Sequence, residues 1–286
     1  MKKNIIIIAI LILIVGLVFY FFYFLKKDKN IITLYGNVEI RQVDLSFQVS
    51  GIIENVFVEE GDFVKKGQVL AKIEDKDYKI NYKKAIFKEK QSRAKAKEDS
   101  SKFKRNYPLC FDDIVSKEEC ETLLNNKNSS NATNAEDREN ILYQKNQLEY
   151  TTLYAPNEGI ISSRVQEKGA RVDKGQTIYV MNLTKPIWIR SYIKETDLGN
   201  VKYGMNVKVK TDTIDPKTNK NKEYNGKIGY ISPVAEFSPK TVQSEDLRVD
   251  LVYRIRVYVD DSEIDEYLRQ GMPTTLTINL KENYDK

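Results

Sequence analysis

The sequence predicts a mostly β protein with an inserted α-helical hairpin, and three observations predict it. Residues 48–70 (QVSGIIENVFVEEGDFVKKGQVL) and 156–178 (PNEGIISSRVQEKGARVDKGQTI) are two copies of one pattern made of short apolar runs bounded by glycine and charged turns. Between them lies a polar insert with no glycine or proline from Asp75 to Tyr107, rich in lysine, alanine, glutamate and glutamine, which is a helix composition. After Met181 the apolar residues alternate with polar ones at period two, the pattern of strands.

The elements divide the 286 residues into six stretches: 1–27, 28–46, 47–74, 75–150, 151–183 and 184–286. The first holds Ile5 to Leu25, a run with no charged residue and long enough as a helix to cross a hydrocarbon core of about 30 Å. Its end is aromatic (Phe19 to Phe24) and offers no small-residue cleavage site, so the expectation is an uncleaved N-terminal transmembrane anchor. Residues 28–46 contain a strand, Ile32–Ser46, expected to return either to the C-terminal barrel or to a membrane-proximal region.

Stretches 47–74 and 151–183 are the two copies of the repeat. Gly51, Gly61 and Gly67 map onto Gly159, Gly169 and Gly175 at a constant offset of 108 residues. Val64/Val172 and Leu70/Ile178 keep the same offset. The glycines are expected to be turn residues, with positive φ at Gly61 and Gly169. The strands expected are Val49–Val58, Val64–Ile73, Ile160–Val165 and Val172–Met181, two half-units that pack face to face as a sandwich.

The insert 75–150 is expected to be a hairpin of two helical arms, the first ended by Pro108 and the second running from about Val115 to Tyr150. A first arm of about 32 residues would be roughly 48 Å long. Ile80, Phe87 and Ala94 recur at seven and suggest a weak coiled-coil seam. Residues 76–107 carry 12 Lys/Arg against 4 Asp/Glu and residues 113–150 carry 4 against 8, which favours antiparallel pairing of the arms. The tract Asn125–Asn134 is expected to break the return helix, with Thr133-x-x-Glu136 capping a restart. In 184–286 the candidate strands Pro186–Ile193, Met205–Lys210, Tyr224–Ser232, Leu251–Val259 and Thr274–Leu280 suggest a small β-barrel, with one helical turn at Glu195–Gly199.

Composition excludes several function classes. With no histidine and two cysteines, serine–histidine and cysteine–histidine catalysis are ruled out, and the commonest metal ligand is missing. There is no Gly-rich phosphate loop. A net charge of +5 on a chain this long does not argue for nucleic acid. No enzyme, cofactor or metal is expected.

The spaced glycines and the split sandwich resemble the biotinyl/lipoyl fold as it occurs in HlyD-type membrane fusion proteins, the periplasmic adaptors. Ile231 to Phe237, Leu251 to Arg256 and Gly271-Met-Pro273 are similar to the barrel of the short-stalk subgroup that works with ABC exporters. The resemblance implies a ring of copies anchored in the inner membrane through the N-terminal helix, with the bulk of the chain in the periplasm. It further implies an inner-membrane transporter of ABC type and a TolC-type outer-membrane channel as partners. It also singles out the tip of the insert, where Arg105, Leu109 and Ser116 match the pattern R-x3-L-x6-S that contacts the channel in such adaptors. Each has an ordinary alternative: Arg105 a solvated cation, Leu109 packed in the turn, and Ser116 the cap of the return helix through Ser116-x-x-Glu119. In an oxidising periplasm Cys110 and Cys120 could form a disulfide across the tip, or remain two thiols. The rival reading from another class is a carrier domain of an enzyme complex modified on Lys76, which lies where the lipoyl or biotinyl lysine would come. A second rival is an anchored structural protein with no transport role.

Overall fold

The computed structural model describes residues 30–111, 114–216, 218–237, 251–265 and 267–284. They divide between two compact units, Gln42–Thr184 on one side and Met1–Arg41 with Lys185–Lys286 on the other. Among the described residues no helix is long and apolar enough to cross a membrane. The anchor expected at Ile5–Leu25 lies outside them.

In the unit Gln42–Thr184 the repeat forms a sandwich. Its short strands are β2 (Gly51–Val56), β3 (Phe63–Val64), β4 (Val69–Ile73), β5 (Thr152–Tyr154), β6 (Gly159–Arg164) and β7 (Arg171–Val172). Strand β1 (Ile31–Ser46) enters this unit at its end, and β8 (Thr177–Lys194) starts in it. One layer is the sheet β5-β4-β2-β7, and the other contains β3, β6 and the first part of β8. The expected strands Val64–Ile73 and Val172–Met181 are each divided, into β3 and β4 and into β7 and the start of β8, because the Lys65–Gln68 and Asp173–Gln176 turns interrupt them. In both turns a glutamine side chain takes the backbone N–H three residues before it, at 3.0 Å from Lys65 and 3.0 Å from Asp173.

The two copies exchange equivalent bonds. Gly61 N–H donates to Ile161 O at 2.8 Å, and Gly169 N–H donates to Ile53 O at 2.9 Å. Gly67 N–H reaches Ala155 O at 2.8 Å, and Gly175 N–H reaches Phe47 O at 3.0 Å. Every donor and acceptor in these pairs is related by the offset of 108, so the halves are swapped around a local two-fold axis. Each half thereby satisfies glycine donors in the turns of the other. The apolar faces close the same way, with Val64, Val172, Leu70, Ile178, Ile53 and Ile161 all buried in one core. Burying side chains of this size contributes about 1.5–3 kcal/mol each.

The glycines serve two different purposes. Gly61, Gly67, Gly169 and Gly175 have φ between 81° and 91° and are turn residues. Gly51 and Gly159, also expected in turns, instead begin strands β2 and β6. A Cβ at Gly51 would sit 2.8 Å from the Ile73 side chain, and one at Gly159 would sit 2.5 Å from the Asn182 carbonyl. Their lack of a side chain lets a neighbouring strand approach.

The insert is an antiparallel helical hairpin of α1 (Lys76–Phe111) and α2 (Lys117–Glu149). Three expectations about it are corrected. Pro108 does not end the first arm; it lies inside the last turn of α1, which continues past it only to Phe111. The tract Asn125–Asn134 does not break α2. Thr133 caps nothing, and its hydroxyl donates to the Ser129 carbonyl one turn back at 3.0 Å. The seam is not Ile80, Phe87 and Ala94, which all face solvent, with Phe87 65% exposed.

The sheltered line on α1 runs through Tyr78, Tyr82, Ala85, Glu89, Ser92, Ala96, Asp99, Phe103, Asn106 and Cys110, alternating steps of four and three. On α2 it runs through Cys120, Leu123, Lys127, Ser130, Asn134, Asp137, Ile141, Gln144 and Leu148. This is a complete heptad seam written largely in polar residues. Several of their buried groups find partners across or along it. Asn134 Nδ2 lies 3.4 Å from Glu89 Oε1 and 3.2 Å from Ser92 Oγ. Asp137, only 2% exposed, is paired with Lys88 at 2.8 Å. Hydrogen bonding to Lys88 holds the Asp137 carboxyl below its ordinary range, and Arg93 does the same for Glu89.

The second unit is a barrel with strand order β1-β12-β9-β10-β11-β8, closed by pairing of β1 with β8. Here β9 is Asn206–Ile214, β10 Asn221–Phe237, β11 Leu251–Val259 and β12 Pro273–Asn279. The strand expected at Ile32–Ser46 does return to it: β1 pairs antiparallel with β12 from Ile31↔Asn279 to Asn37↔Pro273. Alternate residues point inward, among them Leu34, Ile189, Val209, Ile255, Val257 and Leu276, and all are buried. Pro233 is accommodated because the β10–β11 register shifts between Ile231 and Ala235, a bulge that asks no ladder bond of it. The helical turn expected after Lys194 is α3 (Glu195–Leu198), and a last short helix, α4, covers Leu280–Tyr284.

Candidate functional site

The tip of the hairpin is the candidate site. At 36 residues α1 carries the tip roughly 54 Å from its root in the sandwich. Below the tip the arms are tied together: the Phe103 ring stacks at a tilt on Tyr107, with centroids 5.1 Å apart, and Lys127 Nζ of α2 sits 4.6 Å from the Phe103 ring. Cys110 in the last turn of α1 and Cys120 in the first turn of α2 are bonded, with Cα atoms 6.2 Å apart. The Leu109 carbonyl accepts from Ile114 N–H at 3.2 Å and Val115 N–H at 3.4 Å, which turns the chain back.

Ser116 then starts the return helix. It has extended backbone, φ −64° and ψ 150°, and its hydroxyl accepts from the Glu119 backbone N–H at 3.2 Å. Its capping role is therefore structural, whatever else it does. Arg105 is exposed on α1 one turn before Leu109. Leu109 itself is half-buried, so it is less of a knob than the sequence suggests. Sequence reasoning passed over the apolar groups most offered to solvent here, Ile114 at 68% exposure and Tyr107 at 47%. A signal for Ile114 was present: an apolar residue lies between the acidic pair Asp112-Asp113 and the cap Ser116, where no helix face can shelter it. The assembled tip thus presents a cation (Arg105), an aromatic ring (Tyr107) and an aliphatic side chain (Ile114) on a turn fixed at both ends. Such a set suits a partner surface with carboxylates or carbonyls beside a shallow apolar pocket.

Lys76 does not occupy a carrier position. It is the exposed first residue of α1, not the apex of a tight β-turn, so the geometry that presents a modified lysine is missing. Among the described residues no group of three or more acidic or cysteine side chains is placed to hold a metal.

The family model for the barrel-sandwich hybrid domain of RND membrane fusion proteins matches residues 41–184. A second model, the YknX-like β-barrel domain, matches residues 187–278. The chain belongs to the membrane fusion protein family.

The curated UPF0194 membrane protein Ent638_1286 of Enterobacter sp. (strain 638) is 33% identical over 310 residues, which cover 89% of this chain and 90% of the relative. Solved membrane fusion proteins share the fold. Spr0693 from Streptococcus pneumoniae R6 superposes with a TM-score of 0.64 at 17% identity, covering 86% of this chain and 97% of that one. A MacA–MexA chimera carrying the Pseudomonas aeruginosa MexA α-hairpin gives 0.59 at 24% identity, over 88% of this chain and 82% of that one.

Proposed function

We propose that this membrane fusion protein is a periplasmic adaptor that links an inner-membrane transporter, of ABC type, to a TolC-type outer-membrane channel. In this reading an N-terminal helix holds it in the inner membrane, and the bulk of the chain stands in the periplasm as one member of a ring of copies. It performs no catalysis; transport energy and cargo choice belong to the transporter. The observation that carries the reading is the hairpin tip, where a cross-linked, capped turn holds Arg105, Tyr107 and Ile114 exposed far from the sandwich. Arg105 and Leu109 are assigned to contact with the channel, and Ser116 to shaping the turn they act from.

The test uses the full-length protein in lipid nanodiscs, immobilised and exposed to a detergent-solubilised TolC-type channel. Arg105→Asp and Leu109→Ser are each expected to abolish capture of the channel while leaving the helix content unchanged. Equal capture by both variants and the parent would sink the assignment, and no capture by the parent would favour an anchored protein without a transport role.

A further inference from the structure

One outward face of the barrel is built from residue types that are scarce elsewhere in the chain. Trp188, Arg190 and Tyr192 of β8 and Arg254, Arg256 and Tyr258 of β11 alternate with the buried Ile189, Ile193, Ile255 and Val257, so they point away from the core. Arg41 of β1 joins them beside Trp188. Lysine outnumbers arginine 35 to 11 in this chain, yet four arginines meet here around its single tryptophan. A guanidinium differs from an ammonium in being planar: it stacks on rings and presents a fork of donors to an oxyanion.

The pairing of β8 with β11 sets Arg190 directly opposite Arg256, and Trp188 opposite Tyr258. Like charges facing each other across two strands destabilise a sheet, so this pair calls for neutralisation. Glu39 supplies part of it: its carboxylate lies 3.0 Å from Arg190 Nη1 and accepts from Trp188 Nε1–H at 2.9 Å. Arg254 has Glu236, with Nε 3.3 Å from Oε1. Arg256 forms no ion pair among the described residues, and its buried Nε has no hydrogen-bond acceptor among them. Rings place its guanidinium instead, with Cζ 5.4 Å from the Trp188 ring and 5.2 Å from the Tyr230 ring. Trp188 is flanked in turn by Tyr258, with centroids 6.2 Å apart. Tyr258 lies across Gly229, where a Cβ would come within 2.2 Å of its ring. The glycine is what lets the rings lie as they do.

We propose that this face of the barrel is a binding site for a phosphate monoester. Arg190 and Arg256 stand side by side in the ladder, so one oxyanion can span both. A carboxylate has two oxygens, which a single fork satisfies; a phosphate monoester offers three at higher charge and uses two forks. Bound there, it supplies the negative charge that the facing arginines lack. Tyr230 beside Arg256, and Tyr192 opposite Arg254 and 40% exposed, offer ring surface to the group that the phosphate carries. The ligand class is therefore a phosphate monoester of an aromatic or apolar group, whether a soluble molecule or a lipid headgroup. The site lies on the barrel, and the inference does not rest on the adaptor reading of the hairpin tip.

Because the only tryptophan of the chain sits in the site, its fluorescence reports occupancy. The full chain in phosphatidylcholine nanodiscs is titrated with phenyl phosphate, and a saturable change in Trp188 emission is expected. Arg256→Gln should weaken that binding on the order of tenfold or more, whereas Arg171→Gln, on the sandwich, should leave it unaltered. Arg256→Lys keeps the charge without the fork and should fall between parent and Arg256→Gln, which tests the site even if the glutamine variant folds poorly. Nanodiscs containing phosphatidic acid, with no phenyl phosphate, separate the two sources. An emission change there that Arg256→Gln removes assigns a lipid headgroup, and a change with phenyl phosphate alone assigns a soluble ligand. No change with either probe overturns the proposal. So does binding as tight in Arg256→Gln and Arg256→Lys as in the parent.

Discussion

At the scale of single residues the repeat is a statement about glycine. Four of its six glycines hold a left-handed backbone, and an alanine there pays roughly 1–2 kcal/mol. Gly61→Ala and Gly169→Ala are expected to lower the sandwich's stability by that amount each and by similar amounts, because they occupy equivalent swapped turns. Gly159→Ala should cost more, about 1–3 kcal/mol, because its Cβ would press on the Asn182 carbonyl and Met181 within a closed sheet. Denaturant midpoints of the three variants check the ranking; a harmless Gly159→Ala would mean that β6 and β8 are free to separate. The constant offset made the equivalence of the glycines legible in the sequence. It could not distinguish a glycine needed for φ from one needed for closeness, since that depends on Ile73 and Met181, which are remote in the chain. The same limit hid the exposure of Ile114 and the half-burial of Leu109, which are set by how the Leu109 carbonyl closes the turn.

At the scale of elements, the hairpin is a coiled coil held by polar residues, and its stability should follow their titration. The fold holds Glu89 and Asp137 below their ordinary pKa, through Arg93 and Lys88 respectively, so the unfolded chain binds more protons than the folded one. Asp75 at the root of α1 is lowered as well, chiefly by Lys72 and then by Lys79. Their stabilisation is complete above the usual carboxylate range, about pH 4 to 4.5, and is lost as pH falls through the lower folded values. Helix content by circular dichroism should therefore drop below about pH 4, and Asp137→Asn should blunt the drop. A helix signal flat down to pH 2 would show that these pairs do not hold the arms. Reduction of Cys110–Cys120, or Cys110→Ser with Cys120→Ser, should raise amide exchange from Arg105 to Cys120 while sparing the root of the hairpin. The seam itself was illegible by hydrophobic periodicity, because Glu89, Ser92, Asp99, Asn134 and Asp137 are the sheltered positions. The apolar repeat Ile80–Phe87 that does show in the sequence marks the outer face.

At the scale of the whole molecule, the order of elements was readable because each carries its own period. Glycine spacing marks the half-units, unbroken helix formers mark the insert, and period-two alternation marks the barrel, including the early strand β1 that pairs with β12. The class of protein was readable too, from the spaced glycines and the split sandwich, and the family match to residues 41–184 agrees with it. The role of the tip rests on the adaptor proposal. The claim that the tip meets an outer-membrane channel is tested most directly in intact cells, by a photo-reactive phenylalanine at Ile114 in the otherwise unaltered chain. A covalent adduct with a TolC-type channel is expected, and it disappears when Arg105→Asp is added. An adduct with inner-membrane proteins alone, or a channel adduct indifferent to Arg105, would contradict it.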